Sequence, residues 1–273
     1  MAPAPLFSAP PAVVEAISTV GTALVFCLCA AQLPTFRLVA QRKLELDKVS
    51  FLPTLGQLAN FSTWTVYGLA GAHNPTVVTV NVLGIAFCAL YVALFLYFAS
   101  PARRVLIVRQ LAALGAAFAA IEAAVLLGVS DATLRASVLA YVSIACNVVM
   151  YGSPIVAIRA ALAAMDPAAI PLLLTVASLA CSVCWGLYGA LIADYNITAP
   201  NVAGAALIIA QLATAAFISL RVARDPELTR RLARERRAAR GAGSDDEDEL
   251  LGDDDDGAAG ARAADGVTLS VSS

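Results

Sequence analysis

One pattern of residues occurs twice in this chain, about half a chain length apart. The second copy follows the first at an offset of 121 residues for Trp, Tyr and the first Gly, and of 120 residues for Asn and the second Gly. The copies are Trp64-x-x-Tyr67-Gly68 with Asn81-x-x-Gly84, and Trp185-x-x-Tyr188-Gly189 with Asn201-x-x-Gly204. Prolines keep nearly the same spacing, 120 residues between Pro34 and Pro154 and 118 between Pro53 and Pro171. A chain that repeats in this way is built as two similar halves.

The repeated residues lie within long apolar stretches. Hydrophobic residues make up 60% of the 273 residues and charged residues only 14%. Apolar stretches of roughly 18 to 25 residues are long enough to cross a bilayer as helices. They predict an all-α membrane protein with seven transmembrane helices, at about 13–36, 50–71, 75–99, 104–128, 132–160, 169–192 and 197–220.

The spacing of the helices also predicts how the halves are related. A repeat of three helices is inverted relative to the next unless an odd number of helices separates the two copies. The fourth helix is that separator, so we expect two parallel three-helix repeats around a linker helix, a 3+1+3 arrangement. The expected parts are an N-terminal segment over 1–12, repeats over 13–99 and 131–220, a linker over 100–130 and a tail over 221–273. A path between the repeats would be lined equally by both.

The positions of Lys and Arg predict the orientation in the membrane. Seventeen of the 18 basic residues fall on one side of the predicted helices, and only Arg135 falls on the other. Because basic residues stay on the cytoplasmic side, we expect the N-terminus outside and the tail in the cytosol. The first helix has no basic segment before it and is expected to be retained rather than cleaved. The plasma membrane is favoured as its location, with the vacuole or another compartment left open.

The tail changes composition abruptly after Arg221. A basic stretch is followed by an acidic one from Asp245 to Asp256, and the tail is expected to be disordered beyond about residue 241. Its basic part has the charge of a short helix that rests on anionic lipid, and Ser244 precedes acidic residues as in an acid-directed phosphorylation site. The alternative interpretation is a solvated tail without a specific partner.

Two asparagines indicate where a solute would bind. Asn81 and Asn201 lie near the middle of the third and seventh helices, where an unpartnered amide costs several kcal/mol in hydrocarbon. They must therefore face the interior, either to bond a neighbouring helix or to hold a ligand. Together with Trp64 and Trp185 they suit a sugar, because amides pair with hydroxyls in either direction and an indole covers the apolar face of a pyranose.

Counting by helical turns from the repeated prolines and tryptophans gives the rest of the expected lining. Each of these positions could equally serve ordinary helix packing. They are Cys27 and Ala30 before Pro34, Asn147 and Met150 before Pro154, Asn60 before Trp64, and Cys181 before Trp185.

Two sets of residues are expected at the ends of this path. The four repeated prolines, Pro34, Pro53, Pro154 and Pro171, would form a ring at the cytosolic mouth, each removing a helical hydrogen bond so that its helix can bend. At the outer mouth, a hydrogen bond from Tyr67 to Asp194 could act as a latch. Both residues could instead simply occupy the lipid headgroup region.

Several classes of function lack the residues they need. Glu122 is the clearest carboxylate in the predicted membrane core and lies outside both repeats, which argues against an ion-coupled carrier. The single His73 is in an outer loop, so hydrolytic catalysis has no support. Cys27-x-Cys29 and Cys181-x-x-Cys184 lie in apolar spans without a second pair at ligand spacing. We expect no enzyme activity, no cofactor, no metal and no nucleic-acid partner.

These motifs resemble those of the SWEET sugar uniporters over about residues 15–220. The matching motifs are Leu33-Pro34-Thr35-Phe36, Trp64-x-x-Tyr67-Gly68, Ser153-Pro154-Ile155 and Pro200-Asn201-x-x-Gly204. Parallel repeats are an established property of that family. The resemblance implies that Asn81, Asn201, Trp64 and Trp185 hold the sugar. It also implies that the four prolines form the inner hinge ring, and that Tyr67 and Asp194 form the outer gate.

Departures from the family pattern bear on the substrate. His73 stands where many plant members carry Lys, which puts a gating role of that position in doubt. Asn60, Met150 and Cys181 resemble the monosaccharide transporters, whereas the small Ala30 does not, so glucose and similar hexoses are favoured over sucrose. The alternatives are a proton-coupled carrier of the wider PQ-loop group and a seven-helix receptor. A homo-oligomer is compatible with either transporter interpretation.

Overall fold

The computed structural model describes residues 9–150, 152–235 and 238, and their regular structure is helical. Nine α-helices follow one another in the described residues between Pro11 and Arg224. Their bounds are Pro11–Ala30 (α1), Leu33–Ala40 (α2), Leu52–Val66 (α3), Pro75–Phe98 (α4), Pro101–Gly128 (α5), Ala132–Met150 (α6), Gly152–Ala164 (α7), Leu172–Leu191 (α8) and Tyr195–Arg224 (α9). Short 3-10 turns cover Leu46–Lys48 and Pro167–Ala169, and a π-helical turn over Tyr67–Gly71 continues α3.

These helices combine into seven membrane-spanning segments, as predicted. Six stretches of the described chain have the length and hydropathy needed to cross a bilayer, with α1 and α2 counted together and α6 and α7 counted together. The seventh segment is α3, whose 15 residues are continued by the five residues of the π-helical turn. The first repeat thus comprises α1 to α4, the linker is α5, and the second repeat comprises α6 to α9. The predicted bounds differ from the observed ones by a few residues, most at the first and last segments, which cover Pro11–Ala40 and Tyr195–Arg224.

The repeats contact each other through equivalent helices. In the first repeat α4 packs against α3 and α1, and across the repeats α1 packs against α8 and α3 against α6. Because α1 corresponds to α6 and α3 to α8, the two cross-repeat contacts are equivalent. Such contacts leave a space between the repeats that both repeats line.

The repeated glycines permit helices to pack closely where the chain turns back. A Cβ added to Gly68 would lie 2.9 Å from the Val78 side chain, and one added to Gly189 would lie 2.8 Å from the backbone nitrogen of Thr198. Only a residue without a side chain fits at such distances. This explains why the Tyr-Gly pair of the motif occurs in both copies.

The four repeated prolines stand at the beginnings of helical segments. Pro34 lies in the first turn of α2, Pro53 in the first turn of α3, Pro154 is the third residue of α7, and Pro171 precedes α8. A proline in the first turn costs little, because the N–H it lacks has no partner inside the helix. For Pro53 and Pro171, the expected loss of a hydrogen bond within a helix is therefore wrong.

Pro34 does interrupt its membrane segment. The helix stops after Ala30 and resumes at Leu33, with a two-residue turn between. The hydroxyl of Tyr91 on α4 donates to the carbonyl oxygen of Cys29 at this break. Phe36 stacks on the Tyr91 ring at 5.4 Å and contacts Phe95 edge to face at 5.0 Å. Buried aromatic packing and one side-chain hydrogen bond thus stabilise the bend.

The described residues from Ser219 onward belong to a separate unit of the chain. Within it a helix over 226–235 begins after Asp225, whose carboxylate accepts hydrogen bonds from the backbone nitrogens of Glu227 and Leu228. Arg231 and Glu235 form an ion pair at 2.9 Å one turn apart. The predicted acidic stretch from Asp245 to Asp256 and Ser244 lie outside the described residues.

Candidate functional site

A cavity of about 180 Å³ lies between the repeats. Its lining comes from α1, α3 and α4 of the first repeat and from α6, α8 and α9 of the second, and α5 contributes no residue to it. The lining residues are Val25, Asn60, Phe61, Trp64, Val77, Val80, Asn81, Asn147, Cys181, Trp185, Ile197 and Asn201. The site therefore combines apolar walls with four amides, a composition typical of small-molecule sites.

The two repeated asparagines have the same local geometry. Asn81 Nδ2 donates to the carbonyl oxygen of Val77 at 2.7 Å, and Asn201 Nδ2 donates to that of Ile197 at 2.8 Å. One N–H of each amide is thus bonded to the preceding turn of its own helix. Since only the NH₂ group can donate to a carbonyl, the bonds also fix which atom of each amide is Oδ1. Both Oδ1 atoms remain free of protein partners among the described residues and can accept hydrogen bonds from a solute.

The two repeated tryptophans also have equivalent surroundings. Trp64 contacts Tyr67 edge to face at 5.3 Å, and Trp185 contacts Tyr188 edge to face at 5.4 Å. Both indoles are buried, and Trp185 Nε1 has no hydrogen-bond partner among the described residues. An indole N–H is a donor that normally finds a partner when it is buried. The Trp185 Nε1 atom is packed against α1, because a Cβ added to Gly21 would lie 3.1 Å from it.

Seven of the ten residues predicted to hold the solute are brought together here. These are Asn60, Trp64, Asn81, Asn147, Cys181, Trp185 and Asn201. Ala30 and Met150 are half-buried at the last positions of α1 and α6 and do not line the cavity. Cys27 is exposed on α1 in a surface groove toward α4, so its predicted place in the cavity is wrong.

The error at Cys27 has a structural cause. Val25 of α1 and Asn147 of α6 line the cavity from equivalent helices and are 122 residues apart, whereas Pro34 and Pro154 are 120 apart. The first repeat thus has two more residues between cavity and proline than the second. Counting turns back from Pro34 assumes an uninterrupted helix, but the chain turns at Ala31 and Gln32. The residue that faces the cavity is consequently Val25.

Other lining residues were not predicted, and some carried a usable signal. Val77 and Ile197 lie one helical turn before Asn81 and Asn201 and are themselves 120 residues apart. Counting turns from the asparagines would have found both. Phe61 and Val80 have no such signal in the sequence.

Hydrogen bonds between the repeats close one end of the bundle, which we call the tyrosine end after Tyr67 and Tyr188. The Tyr67 hydroxyl lies 2.9 and 2.8 Å from the two carboxylate oxygens of Asp194, and it accepts from Asn196 Nδ2 at 3.2 Å. The predicted contact between Tyr67 and Asp194 is thus present in the structure.

A second contact at the tyrosine end was not predicted. The Tyr188 hydroxyl lies 3.1 Å from Asn74 Oδ1 and 3.0 Å from Asn74 Nδ2. Tyr188 follows Tyr67 by 121 residues and Asp194 follows Asn74 by 120. The two contacts are therefore equivalent under exchange of the repeats, and the repeat spacing is the signal that would have revealed the second.

The four prolines lie at the other end of the bundle, which we call the proline end. Near Pro34, Gln32 Nε2 donates to Gln57 Oε1 of α3 at 2.8 Å, which connects the break in the first segment to the second. The structure thus places Tyr67 and Asp194 at one end and Pro34, Pro53, Pro154 and Pro171 at the other, with the cavity between.

Glu122 does not take part in the cavity. It lies on α5, and one of its carboxylate oxygens is buried without a hydrogen-bond partner among the described residues. No carboxylate occurs among the residues that line the cavity in the described part of the chain. His73 is exposed in the turn before α4, where its backbone is left-handed with φ of 49°.

The chain matches the model of a protein family described as sugar efflux transporters for intercellular exchange. The match covers residues 15–103 and 137–221, which include most of both repeats and leave out most of the linker helix.

Individual proteins of known class are similar over most of the chain. The rice (Oryza sativa subsp. japonica) bidirectional sugar transporter SWEET4 is 33% identical over 210 residues, 74% of this chain and 79% of the relative. The Arabidopsis thaliana bidirectional sugar transporter SWEET16 is 28% identical over 204 residues, 74% of this chain and 87% of the relative. The solved structure of a eukaryotic SWEET transporter superposes with a TM-score of 0.70 at 27% identity, covering 76% of this chain and 96% of that one.

Proposed function

The chain belongs to the SWEET family of sugar transporters, and from this premise we propose that it is a bidirectional facilitative uniporter for sugar, with a monosaccharide such as glucose as the favoured substrate. The observation that carries the proposal is the matched pair Asn81 and Asn201. Both residues line a cavity that the two repeats share, and each has its Nδ2 bonded to its own helix and no hydrogen-bond partner at Oδ1 among the described residues. Relatives named as bidirectional sugar transporters support the same conclusion.

The binding residues suit the two faces and the edge of a pyranose. Asn81 and Asn201 can accept hydrogen bonds from hydroxyl groups at Oδ1, while one N–H of each is bonded to the helix backbone and the second N–H can donate. Trp64 and Trp185 supply apolar ring surface from opposite repeats. Sugar hydroxyls both donate and accept, so one hexose can satisfy these groups together.

We further propose that transport proceeds by alternating access. The contacts of Tyr67 with Asp194 and of Tyr188 with Asn74 would form the outer gate, and they must break for sugar to enter from that side. The prolines at the proline end would allow the inner helix ends to separate, since helical segments begin at or beside all four. The two repeats, over 13–99 and 131–220, would rock about the bound sugar around the linker over 100–130.

The lining supports uniport rather than ion-coupled transport. Coupled carriers place a protonatable or cation-binding acid on the transport path, and the described lining of this cavity contains amides, indoles and apolar groups. Net flux would then follow the sugar gradient in either direction.

The chain is an integral membrane protein, and we propose an orientation from its charges. Basic residues between α2 and α3 and at the start of α5 lie near the proline end, among them Arg103, which pairs with Asp47 at 2.7 Å in the connection before α3. The proline end would thus face the cytosol, and the N-terminus and tyrosine end would face outward. The plasma membrane is the favoured location.

The test is uptake of radiolabelled glucose, and separately of sucrose, into liposomes that contain only the purified protein, at two pH gradients. Glucose uptake should not depend on the pH gradient, and Asn81→Ala and Asn201→Ala should each lower it by about tenfold or more. Thr79→Ala is the matched control, because Thr79 lies on α4 with Asn81 but is exposed and bonded to its own backbone. Flux that follows the proton gradient would favour a coupled carrier, and uptake of neither sugar would overturn the proposal.

A further inference from the structure

Among the five pairs of repeat mates that line the cavity, two pairs differ in polarity, and Phe61 and Val80 line it without a mate. The tryptophan and asparagine pairs match across the repeats, and Val77 is matched by Ile197. At the other two positions an amide on one side corresponds to a less polar residue on the other. These mismatched pairs are Asn60 with Cys181, and Asn147 with Val25.

Both amides of the mismatched pairs lie on the same side of the cavity. Asn60 is on α3 and Asn147 on α6, and these helices pack together, since a Cβ added to Gly71 would lie 3.3 Å from Ala136 Cα. We call Asn60 and Asn147 the amide wall. Their repeat mates likewise share one side, because α1 packs on α8.

The opposite side, formed by Val25 and Cys181, we call the apolar wall. Gly21 of α1 packs so closely on α8 that an added Cβ would lie 3.1 Å from Trp185 Nε1. A cysteine side chain that is not ionised behaves as a small hydrophobic group with a weak donor. The apolar wall thus has little to offer a hydroxyl group, whereas each amide can both donate and accept.

The amide wall also holds an unsatisfied group. Asn60 Oδ1 is buried and has no hydrogen-bond partner among the described residues. A buried acceptor without a partner is costly, so a solute that donates to it is favoured over one that does not. Cys181, the repeat mate of Asn60, has no buried oxygen that needs a donor.

Resting on the sugar-transport function proposed above, we propose that the cavity binds a hexose in one orientation. The edge of the hexose with the most hydroxyl groups contacts Asn60 and Asn147. The opposite edge packs against Val25 and Cys181 and needs no hydroxyl group there. A 6-deoxyhexose has such an edge, because its C6 is a methyl group. The substrate class therefore extends from fully hydroxylated hexoses to 6-deoxyhexoses, but not to hexoses that lack a ring hydroxyl facing the amide wall.

The test compares transport of glucose, 6-deoxyglucose and 3-deoxyglucose in liposomes containing the full-length protein. The 6-deoxy sugar should be transported within about twofold of glucose, and the 3-deoxy sugar about tenfold more slowly, because it leaves an amide unpaired. Ratios measured within one preparation do not depend on how much protein is inserted. If both analogues fall equally, or neither falls, the orientation is overturned while glucose transport stands; absence of glucose transport would instead refute the proposed function.

Two sets of variants locate the effect on the walls. Cys181→Asn adds an amide to the apolar wall, and transport of 6-deoxyglucose relative to glucose should fall by about fivefold. Val25→Asn should act in the same direction, which keeps the test decisive if one variant fails to fold. Asn60→Cys removes the unsatisfied acceptor, and the discrimination against 3-deoxyglucose should shrink to about twofold. An unchanged 6-deoxyglucose to glucose ratio in the folded apolar-wall variants would contradict the proposal.

Discussion

The Tyr67 hydroxyl lies 2.8 Å from a carboxylate oxygen of Asp194, in the opposite repeat. The equivalent contact in the other half joins Tyr188 and Asn74. There the Tyr188 hydroxyl lies 3.1 Å from Asn74 Oδ1. One contact has a carboxylate acceptor and the other a neutral amide. Because a hydrogen bond to a charged group is stronger than one between neutral groups, the two halves of the proposed gate differ in strength.

The amide at position 74 predicts which replacement of Asp194 is tolerated. Asp194→Asn keeps an acceptor for the Tyr67 hydroxyl and makes the two contacts alike, so glucose uptake should stay within about threefold of wild type. Asp194→Ala removes the acceptor and should lower uptake by about tenfold. Initial uptake rates in liposomes compare the two variants. If both were equally impaired, the charge itself would be required rather than the hydrogen bond.

Removal of the Tyr188 hydroxyl should loosen the tyrosine end. A neutral hydrogen bond contributes about 1 kcal/mol, so Tyr188→Phe should shift the equilibrium toward the open form by about fivefold. The protein has only two tryptophans, Trp64 and Trp185, and both line the cavity. In Tyr188→Phe, an aqueous, membrane-impermeant quencher should therefore quench the tryptophan fluorescence more readily than in the wild-type protein. Tyr97→Phe, at an exposed position on α4, should leave quenching unchanged.

Gly189 should not accept a side chain. A Cβ there would lie 2.7 Å from Thr198 Oγ1 and 2.9 Å from the carbonyl oxygen of Asp194, and the backbone cannot move away easily. Gly189→Ala should destabilise the protein by about 1–3 kcal/mol. Gly115→Ala is the control, because that position on α5 has no atom within 4 Å of the added Cβ.

The two glycine substitutions should change the free energy of unfolding in opposite directions. Gly115→Ala should be neutral or stabilise by up to about 1 kcal/mol, since Gly costs helix stability relative to Ala. Thermal unfolding in detergent measures both. Equal melting temperatures for the two variants would show that close packing at Gly189 is not required.

The break near Pro34 should depend on Tyr91. Its hydroxyl donates to the Cys29 carbonyl, at the end of α1. Tyr91→Phe keeps the ring packing against Phe36 but leaves this buried acceptor without the donor, which should cost about 1–3 kcal/mol. A lowered melting temperature in detergent would be the expected result. No change would mean that the carbonyl finds another donor.

Much of the fold and of the site could be predicted from the sequence because both depend on local patterns that occur twice. The length of the apolar stretches predicts the number of spans, and the repeated Asn and Trp identify matched positions in a shared cavity. Counting helical turns fails where a helix is interrupted. Cys27 was placed in the cavity because the two-residue turn after Ala30 is not visible in the sequence.

The seven segments, their grouping as 3+1+3 and the pairing of Asn81 with Asn201 follow from the amino-acid sequence, because hydropathy and repeat spacing are properties of the chain alone. The packing of the helices is needed to see which face of α1 meets the cavity, that Tyr188 pairs with Asn74, and that Asn60 and Asn147 share one wall. These relations depend on how each helix is rotated against its neighbours. Rotation is fixed by packing between distant residues, such as Gly21 against Trp185, and not by the residues of one helix.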